Sequence, residues 1–174
     1  MYFENARVGD QAAKIGTALD LKDKSPEAKA FAVLQWIGKN IGYATASPLF
    51  NNIHPQSPSE TLLRKNGDCK DHVNLAIALL RFFRIEAYPV LLNRSQQNPP
   101  ITPVWQAFDH VILYIPKFHK FYDMTNSIDK DCLVQNIQGS IALLASPRAV
   151  MVTLPSQEQS PTTVDARYNL GMKI

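Results

Sequence analysis

The residues best suited to chemistry lie in one short segment, Gly67-Asp68-Cys69-Lys70-Asp71-His72. Asp68 is a typical N-cap residue and Asp71 follows three positions later, so the pattern predicts a helix that begins at Cys69. A side chain in the first turn of a helix faces unpaired backbone N–H groups and the positive end of the helix dipole. Both favour a thiolate over a thiol, so the segment predicts that Cys69 is a nucleophile.

A cysteine nucleophile needs a base from a neighbouring element, and His110 is the best candidate. It lies in a predicted strand, Phe108–Ile115, and Asp123 lies in the next one, Phe121–Thr125. A tight turn at Pro116-Lys117 would place His110 directly opposite Asp123, with Cβ atoms about 4.5–5.5 Å apart. The carboxylate would then accept from one imidazole nitrogen and leave the other facing the thiol.

The helix that carries the nucleophile is predicted to run from about Cys69 to Phe83. Helical spacing places the cysteine on an apolar face, and the opposite face is expected to be exposed to solvent. The apolar face carries Val73, Ala76 and Leu80, and the polar face carries Lys70, Asn74 and Arg81. The sulfur should therefore point towards a packed sheet, where a strand can present a base.

Three other helices are predicted before the nucleophile helix. They span Ala6–Leu19, Pro26 to about Asn40 with Ser25 as N-cap, and Glu60–Lys65 with Ser59 as N-cap. Serine followed by proline and an acid is a strong helix start, because proline fits the first helical position. After the nucleophile helix, Glu86–Asn93 reads as a strand in which Pro89 predicts an edge position or a bulge.

The segment from Arg94 to Ala107 is a long polar loop, and loops of that length are often functional. Trp105 within it is a candidate for the wall of a substrate groove, although an exposed loop aromatic is the plainer interpretation. Further along, residues 155–163 are rich in Pro, Ser, Gln and Thr, which is typical of a linker. We therefore expect one domain over 6–154, with a linker and C-terminal extension over 155–174 that could lead to a further domain.

Composition narrows the functional class. The chain has 174 residues and a net charge of +3, and its basic residues form no stripe, so a nucleic-acid or membrane surface is not expected. The longest apolar run, Leu75 to Leu80, is far below the ~20 residues that span a bilayer. No secretory signal is recognisable, and two cysteines are too few for a disulfide framework. Cys132 is expected to be structural.

Several motifs together resemble the transglutaminase-like superfamily, most closely its bacterial domains. They are Gly67-Asp68-Cys69-Lys70-Asp71-His72, Phe108-Asp109-His110-Val111, Tyr122-Asp123-Met124-Thr125, Pro58-Ser59-Glu60-Thr61-Leu62, and Gln35-Trp36-Ile37 with Ile41-Gly42-Tyr43. The resemblance extends over about 9–144. It implies an α+β, papain-like fold in which the nucleophile helix packs on an antiparallel β-sheet. Met124 departs from the family pattern, which usually has proline there; the departure loosens the turn and leaves the three reacting positions filled.

The resemblance also implies a reaction, namely cysteine-dependent acyl transfer on protein or peptide amides through a thioester, of the transglutaminase, deamidase or protease type. Cys69 would be the nucleophile, His110 the general base and acid, and Asp123 the carboxylate that orients the imidazole. No cofactor or metal would be needed, and the backbone N–H of Cys69 is the expected oxyanion donor. Further candidates for substrate or oxyanion contacts are Trp36, Tyr43, Asp68 and Trp105.

Two other interpretations of the same residues stay open. The fold could serve as a non-catalytic binding or scaffold module, with Cys69 as a buried structural cysteine. Alternatively, a metal could be bound, although no second Cys or His pair has zinc spacing. Its ligands would come from Asp68, Cys69, Asp71 and His72. We expect a soluble protein of unknown compartment. Related bacterial domains are often exported and joined to β-rich domains, which favours the periplasm slightly over the cytoplasm.

Overall fold

The computed structural model describes residues 8–44, 54–95, 107–125, 135–156 and 168–169. The α-helices among these residues are α1 (Gly9–Ala18), α2 (Pro26–Asn40), α3 (Pro58–Arg64) and α4 (Cys69–Phe82). Each predicted helix is therefore present, and α4 is the predicted nucleophile helix. Trp105 and Cys132, for which roles were predicted, lie outside the described residues.

Two of the helices begin with a serine cap followed by proline. In α2 the Ser25 hydroxyl accepts a backbone N–H of the first turn, as expected. In α3 the cap is Ser57, whose hydroxyl accepts the N–H of Glu60 at 3.2 Å, so the predicted cap at Ser59 was wrong. The reason is Pro58, because a proline lacks an N–H and fits the first helical position, which leaves the cap to the residue before it.

Replacing Ser57 with alanine should lower the free energy of unfolding by about 1 kcal/mol, because the first turn of α3 loses an acceptor for one of its N–H groups. Urea denaturation measures the change. Ser57→Thr is the matched control, because its hydroxyl can still cap the helix. A Ser57→Ala variant as stable as the wild type would show that this cap contributes nothing to the stability of α3.

The described strands form two sheets. A short parallel pair, β1 (Gly42–Tyr43) and β2 (Asn66–Gly67), lies immediately before α4. The six-stranded sheet is antiparallel and has the order β5-β4-β3-β6-β7-β8. Its strands are β3 (Tyr88–Leu92), β4 (His110–Ile115), β5 (Lys120–Tyr122), β6 (Ile141–Leu144), β7 (Val150–Thr153) and β8 (Tyr168–Asn169). Helices beside an antiparallel sheet confirm the predicted α+β class, whereas the domain division between 154 and 155 stays a prediction.

Pro89 lies in β3, an interior strand that pairs with β4 on one side and with β6 on the other. The predicted edge position or bulge was therefore wrong. The Pro89 carbonyl accepts the N–H of Ala145 at 2.9 Å, and the reciprocal bond would need the N–H that proline lacks. An interior strand tolerates proline here because the missing donor falls where pairing with β6 stops.

The connection between β4 and β5 is longer than predicted. A 3-10 turn, Pro116–Phe118, and His119 in the left-handed conformation join the strands, in place of the expected two-residue turn. The strands are therefore shifted by two residues relative to the predicted register, and direct pairing of His110 with Asp123 was wrong. Because side chains alternate with a period of two, this shift keeps both residues on the same face of the sheet.

The centre of the fold is α4, in which residues 71–80 are all buried. The helices pack on the sheet face that carries Leu113 and Ile115. Ile112 and Tyr114 point to the opposite face and belong to a second apolar cluster. The N-terminus of α4 lies near the end of the sheet where β4 begins, because Cys69, the first residue of α4, interacts with His110, the first residue of β4.

Asn74 was expected on an exposed face of α4 but is only 4% exposed. Gln56, which precedes α3, covers that face, and Asn74 Nδ2 donates to the Gln56 carbonyl at 2.8 Å. The prediction failed because a segment distant in sequence packs on the helix.

None of the helices in the described part of the chain combines the length and the apolar character that a bilayer span requires.

Candidate active site

The start of α4 holds Cys69 in place through a reciprocal set of hydrogen bonds. The Asp68 side chain accepts the N–H groups of Lys70 and Asp71, and the Asp71 carboxylate accepts the Asp68 N–H at 3.1 Å. Lys70 also forms an ion pair with Asp68. The predicted cap is confirmed, and Cys69 is the first helical residue, with a free and partly buried thiol. Its backbone N–H has no intrahelical acceptor at this position.

Asp71 also fastens the segment before α3 to the start of α4. It is 3% exposed, and its carboxylate accepts the backbone N–H and the side-chain amide of Gln56 at 2.8 and 2.9 Å. These bonds compensate the carboxylate for the loss of solvent. A Cβ atom at Gly67 would lie 2.6 Å from the Cβ of Asp71, so position 67 has room only for glycine.

His110, the first residue of β4, is 1% exposed. Its Nε2 is 3.0 Å from Oδ2 of Asp123. Its Nδ1 is buried and makes no regular hydrogen bond, and the Cys69 side chain is close enough to interact with the imidazole. Burial alone would lower the pKa of His110, but hydrogen bonding and the negative charges of Asp123 and Cys69 raise that pKa to about 9. The imidazolium form is therefore favoured at neutral pH.

Asp123 lies directly after β5 and is 3% exposed. Its Oδ1 accepts the backbone N–H of Thr125 at 3.0 Å and the Thr125 hydroxyl at 2.8 Å, while Oδ2 faces His110. Burial alone would raise the pKa of the Asp123 carboxyl, but the hydrogen bonds from His110 and Thr125 lower it below its usual value. Met124, where proline was expected, is buried in the core, and the turn that orients the carboxylate still forms.

Tyr43 reaches the site from the short parallel sheet. It pairs with Gly67, and the residue after it donates its N–H to the Gly67 carbonyl at 3.0 Å, close to the start of α4. The Tyr43 side chain is 43% exposed. Burial of its hydroxyl and the negative charge of Cys69 raise the pKa of Tyr43, as do two nearby aspartates, whereas Arg94 lowers it. Tyr43 therefore lies beside the segment that leads into Cys69, and its phenol is within electrostatic range of the thiol.

His72 is turned towards backbone carbonyls. Its Nδ1 is 2.9 Å from the carbonyl oxygen of Asp68, its Nε2 is 3.3 Å from that of Ile41, and its ring centroid is 6.0 Å from that of Tyr43. These contacts tie the end of α2 to the start of α4.

Within the described ranges, no group of three or more His, Cys, Asp or Glu side chains is arranged to hold a metal ion.

The sequence matches the model of one protein family, described as the transglutaminase-like superfamily, over residues 13–122. That match spans more than half of the chain, includes Cys69 and His110, and ends immediately before Asp123. The chain belongs to the transglutaminase-like superfamily. The predicted membership is confirmed. Among curated proteins, none matches the chain in sequence.

Several solved structures resemble this member of the transglutaminase-like superfamily. A "putative protease" from Parabacteroides distasonis has a TM-score of 0.64 and 11% identity, over 89% of this chain and 29% of its own. EGTA-treated LapG from Legionella pneumophila has a TM-score of 0.49 and 17% identity, over 87% of this chain and 86% of its own. A "putative cysteine protease" from Cytophaga hutchinsonii has a TM-score of 0.44 and 21% identity, over 76% of this chain and 44% of its own.

The first of these likenesses supports the fold and nothing more, because the identity is 11%. Taken with the family match, it agrees with the predicted transglutaminase-like arrangement of the cysteine-protease fold. The chain spans 29% of the length of the Parabacteroides protein.

The predicted contact residues of this transglutaminase-like domain fall in different places. Tyr43 and Asp68 lie next to the start of α4, which carries Cys69, whereas Trp36 packs against the hydrophobic core. Sequence reasoning missed Thr125 and Arg94. The Asp-x-Thr pattern could have indicated Thr125, because aspartate favours a turn closed by its own side chain. Arg94 carried no such signal, since its position depends on how β3 pairs with β4.

Proposed function

We propose that this chain is a cysteine-dependent acyl-transfer enzyme that acts on protein or peptide amides. In this proposal Cys69 is the nucleophile, His110 is the general acid and base, and Asp123 orients the imidazole. The observation that carries the proposal is the buried imidazole of His110, which has Asp123 on one nitrogen and Cys69 within reach. Membership of the transglutaminase-like superfamily supports the same assignment.

The first half-reaction forms a thioester. The Cys69 thiolate attacks the carbonyl carbon of the amide, and a carbon–sulfur bond forms. His110 is protonated at neutral pH because its pKa is about 9, so it can donate the Nδ1 proton to the departing amine as the carbon–nitrogen bond breaks. Asp123 holds Nε2, which leaves Nδ1 for the sulfur and the leaving group.

The tetrahedral intermediate places negative charge on the former carbonyl oxygen, which needs hydrogen-bond donors. We assign two groups to this oxygen. One is the backbone N–H of Cys69, at the positive end of α4. The other is the hydroxyl of Tyr43, which β1 places beside the segment that leads into Cys69. Burial raises the pKa of this phenol, so it keeps its proton and can donate a hydrogen bond to the oxyanion.

The second half-reaction returns the free enzyme. Neutral His110 accepts a proton from an incoming amine or water, which attacks the thioester carbon and releases the Cys69 thiolate. An amine acceptor gives a crosslink, whereas water gives deamidation of a glutamine or cleavage of a peptide bond. Ammonia release from glutamine peptides, with and without a lysine-type amine, distinguishes these outcomes.

Alkylation of Cys69 by iodoacetamide at different pH values tests the proposal without a known substrate. The wild type should react rapidly well below pH 7, because the His110 imidazolium stabilises the thiolate until the pH rises through its pKa of about 9. In His110→Ala that stabilisation is lost. The rate at pH 6 should then fall about 100-fold, towards that of an ordinary thiol of pKa ~8.5.

Two control variants show that the measured alkylation occurs at Cys69 and depends on His110. Peptide mapping of Cys69→Ser separates reaction at position 69 from reaction at Cys132. His119→Asn removes an exposed histidine, and asparagine tolerates the left-handed backbone at this position, with φ 53°. It should leave the profile unchanged. Identical profiles for the wild type and His110→Ala, rising only above pH 8, would contradict the proposal and favour a non-catalytic binding module.

A further inference from the structure

Arg94 lies at the same end of the sheet as His110. Leu92, the last residue of β3, pairs with His110, and Arg94 follows two residues later. The backbone N–H of Arg94 donates to Oδ1 of Asp109 at 2.8 Å. Asp109 in turn donates its N–H to the Leu92 carbonyl at 3.1 Å. The backbone of Arg94 is thus tied to the residue directly before the histidine.

Within the described part of the chain, the guanidinium of Arg94 makes only a weak ion pair. Its Nε is 3.9 Å from Oδ1 of Asp109, the oxygen that already accepts the Arg94 N–H, and the two side chains are 44% and 41% exposed. An ion pair of this length and exposure contributes little, and it does not use the terminal nitrogens of the guanidinium. Among the described residues, no other carboxylate forms an ion pair with Arg94. The carboxylate of Asp123 is paired with His110 instead, at 3.0 Å between Oδ2 and Nε2.

Arg94 and Cys69 both act on the hydroxyl of Tyr43. After the effect of burial, the negative charge of Cys69 raises the pKa of Tyr43 and the positive charge of Arg94 lowers it. Water and salt screen charges around a partly exposed group, so only nearby charges have such an effect. The geometry agrees, because the pairing of Leu92 with His110 and the hydrogen bond from the Arg94 N–H to Asp109 place Arg94 at the end of the sheet where His110 meets Cys69. From there a long arginine side chain can extend towards a substrate whose amide is bound at Cys69.

We propose that Arg94 is a specificity-determining residue that binds a substrate carboxylate next to the amide that reacts with Cys69. The planar guanidinium matches a carboxylate through two parallel hydrogen bonds. An exposed cation also attracts anionic substrates before they bind. The inference rests on the proposed function, because it takes the reacting amide to lie at Cys69. The carboxylate would come from an Asp or Glu side chain of a peptide or from its C-terminus.

Iodoacetate and iodoacetamide test this charge preference, because they are similar in size and differ by one negative charge. The ratio of their rates at Cys69, iodoacetate over iodoacetamide, should fall about fivefold in Arg94→Gln and further in Arg94→Glu. Added salt should lower the wild-type ratio, because it screens an exposed cation. Arg148→Gln removes an exposed cation of the β6–β7 connection and should keep the wild-type ratio. An unchanged ratio in both Arg94 variants would overturn the proposal.

The same data separate this proposal from the proposed function. Rapid reaction of wild-type Cys69 with iodoacetamide below pH 7, combined with a ratio that does not depend on Arg94, would leave the proposed function standing and reject the role of Arg94. A wild-type Cys69 that reacts with neither reagent below pH 7 would reject both.

Blocked peptides show which carboxylate is bound. Protection of Cys69 against iodoacetamide is compared for acetyl-Ala-Gln-Glu-amide, acetyl-Ala-Gln-Gln-amide and acetyl-Ala-Gln-Gln with a free C-terminus. Stronger protection by the first indicates a side-chain carboxylate, and stronger protection by the third indicates the C-terminus. In either case the advantage over the second peptide should disappear in Arg94→Gln. Equal protection by all three peptides would overturn the proposal.

Discussion

Asp123→Asn is expected to lower kcat by about 10³–10⁴-fold while the fold stays intact. Thr125 prevents the side-chain amide of the new asparagine from turning its oxygen towards His110. The N–H and hydroxyl of Thr125 donate to Oδ1 at 3.0 and 2.8 Å and would keep the asparagine oxygen at that position. The NH₂ group of the asparagine would then face Nε2 of His110 and force it to accept. The remaining proton would sit on Nδ1, so the neutral imidazole could not take a proton from the thiol.

The loss is measured as ammonia or amine release from a peptide amide that the wild type turns over, and as the alkylation rate of Cys69 at pH 6. Asp20→Asn is the matched control, because asparagine suits the left-handed backbone at this position, with φ 49°, and the charge change is the same. It should keep full activity. If Asp123→Asn kept activity within about tenfold of the wild type, Asp123 would not be orienting the imidazole.

Gly67→Ala is expected to lower the free energy of unfolding by about 3 kcal/mol. The new Cβ would lie 2.6 Å from the Cβ of Asp71 and 3.2 Å from its Oδ2, and neither the start of α4 nor β2 has a flexible end that can move aside. Displaced, Asp71 would lose the N–H of Asp68 and both donors of Gln56. A buried carboxylate without its donors is costly, because burial removes the water that would replace them.

Thermal unfolding should show this as a fall in Tm of about 6–12 °C. Gly9→Ala is the matched control, because a Cβ at Gly9 meets nothing within 4 Å and the residue opens α1. It should be neutral or slightly stabilising, since alanine restricts the unfolded chain. A Gly67→Ala variant within about 0.5 kcal/mol of the wild type would show that the segment before α4 shifts without penalty.

Local signals predicted the nucleophile helix well. Asp68, Cys69 and Asp71 are adjacent in sequence, and a cap is formed by side chains and N–H groups only a few residues apart. The same applies to the cap at Ser25. The error at Ser59 was also local, because the order of serine and proline around Pro58 already favours Ser57.

Contacts between distant segments were not predictable in this way. Burial of Asn74 by Gln56, the interior position of Pro89, and the position of Arg94 beside Asp109 each depend on which strands and segments pair in three dimensions. The hydrophobic periodicity of a single segment does not show which other segment it pairs with.

The sequence was enough to identify Cys69, His110 and Asp123 as the candidates, because residue type and alternation decide which side chains share a face. The α+β class followed from the resemblance of its motifs to the transglutaminase-like superfamily. Only the tertiary structure decided how these groups meet. The four-residue connection after β4 set the register, and an even shift kept Asp123 on the face of His110, within 3.0 Å of it. An odd shift would have separated them, because neighbouring positions of a strand point to opposite faces.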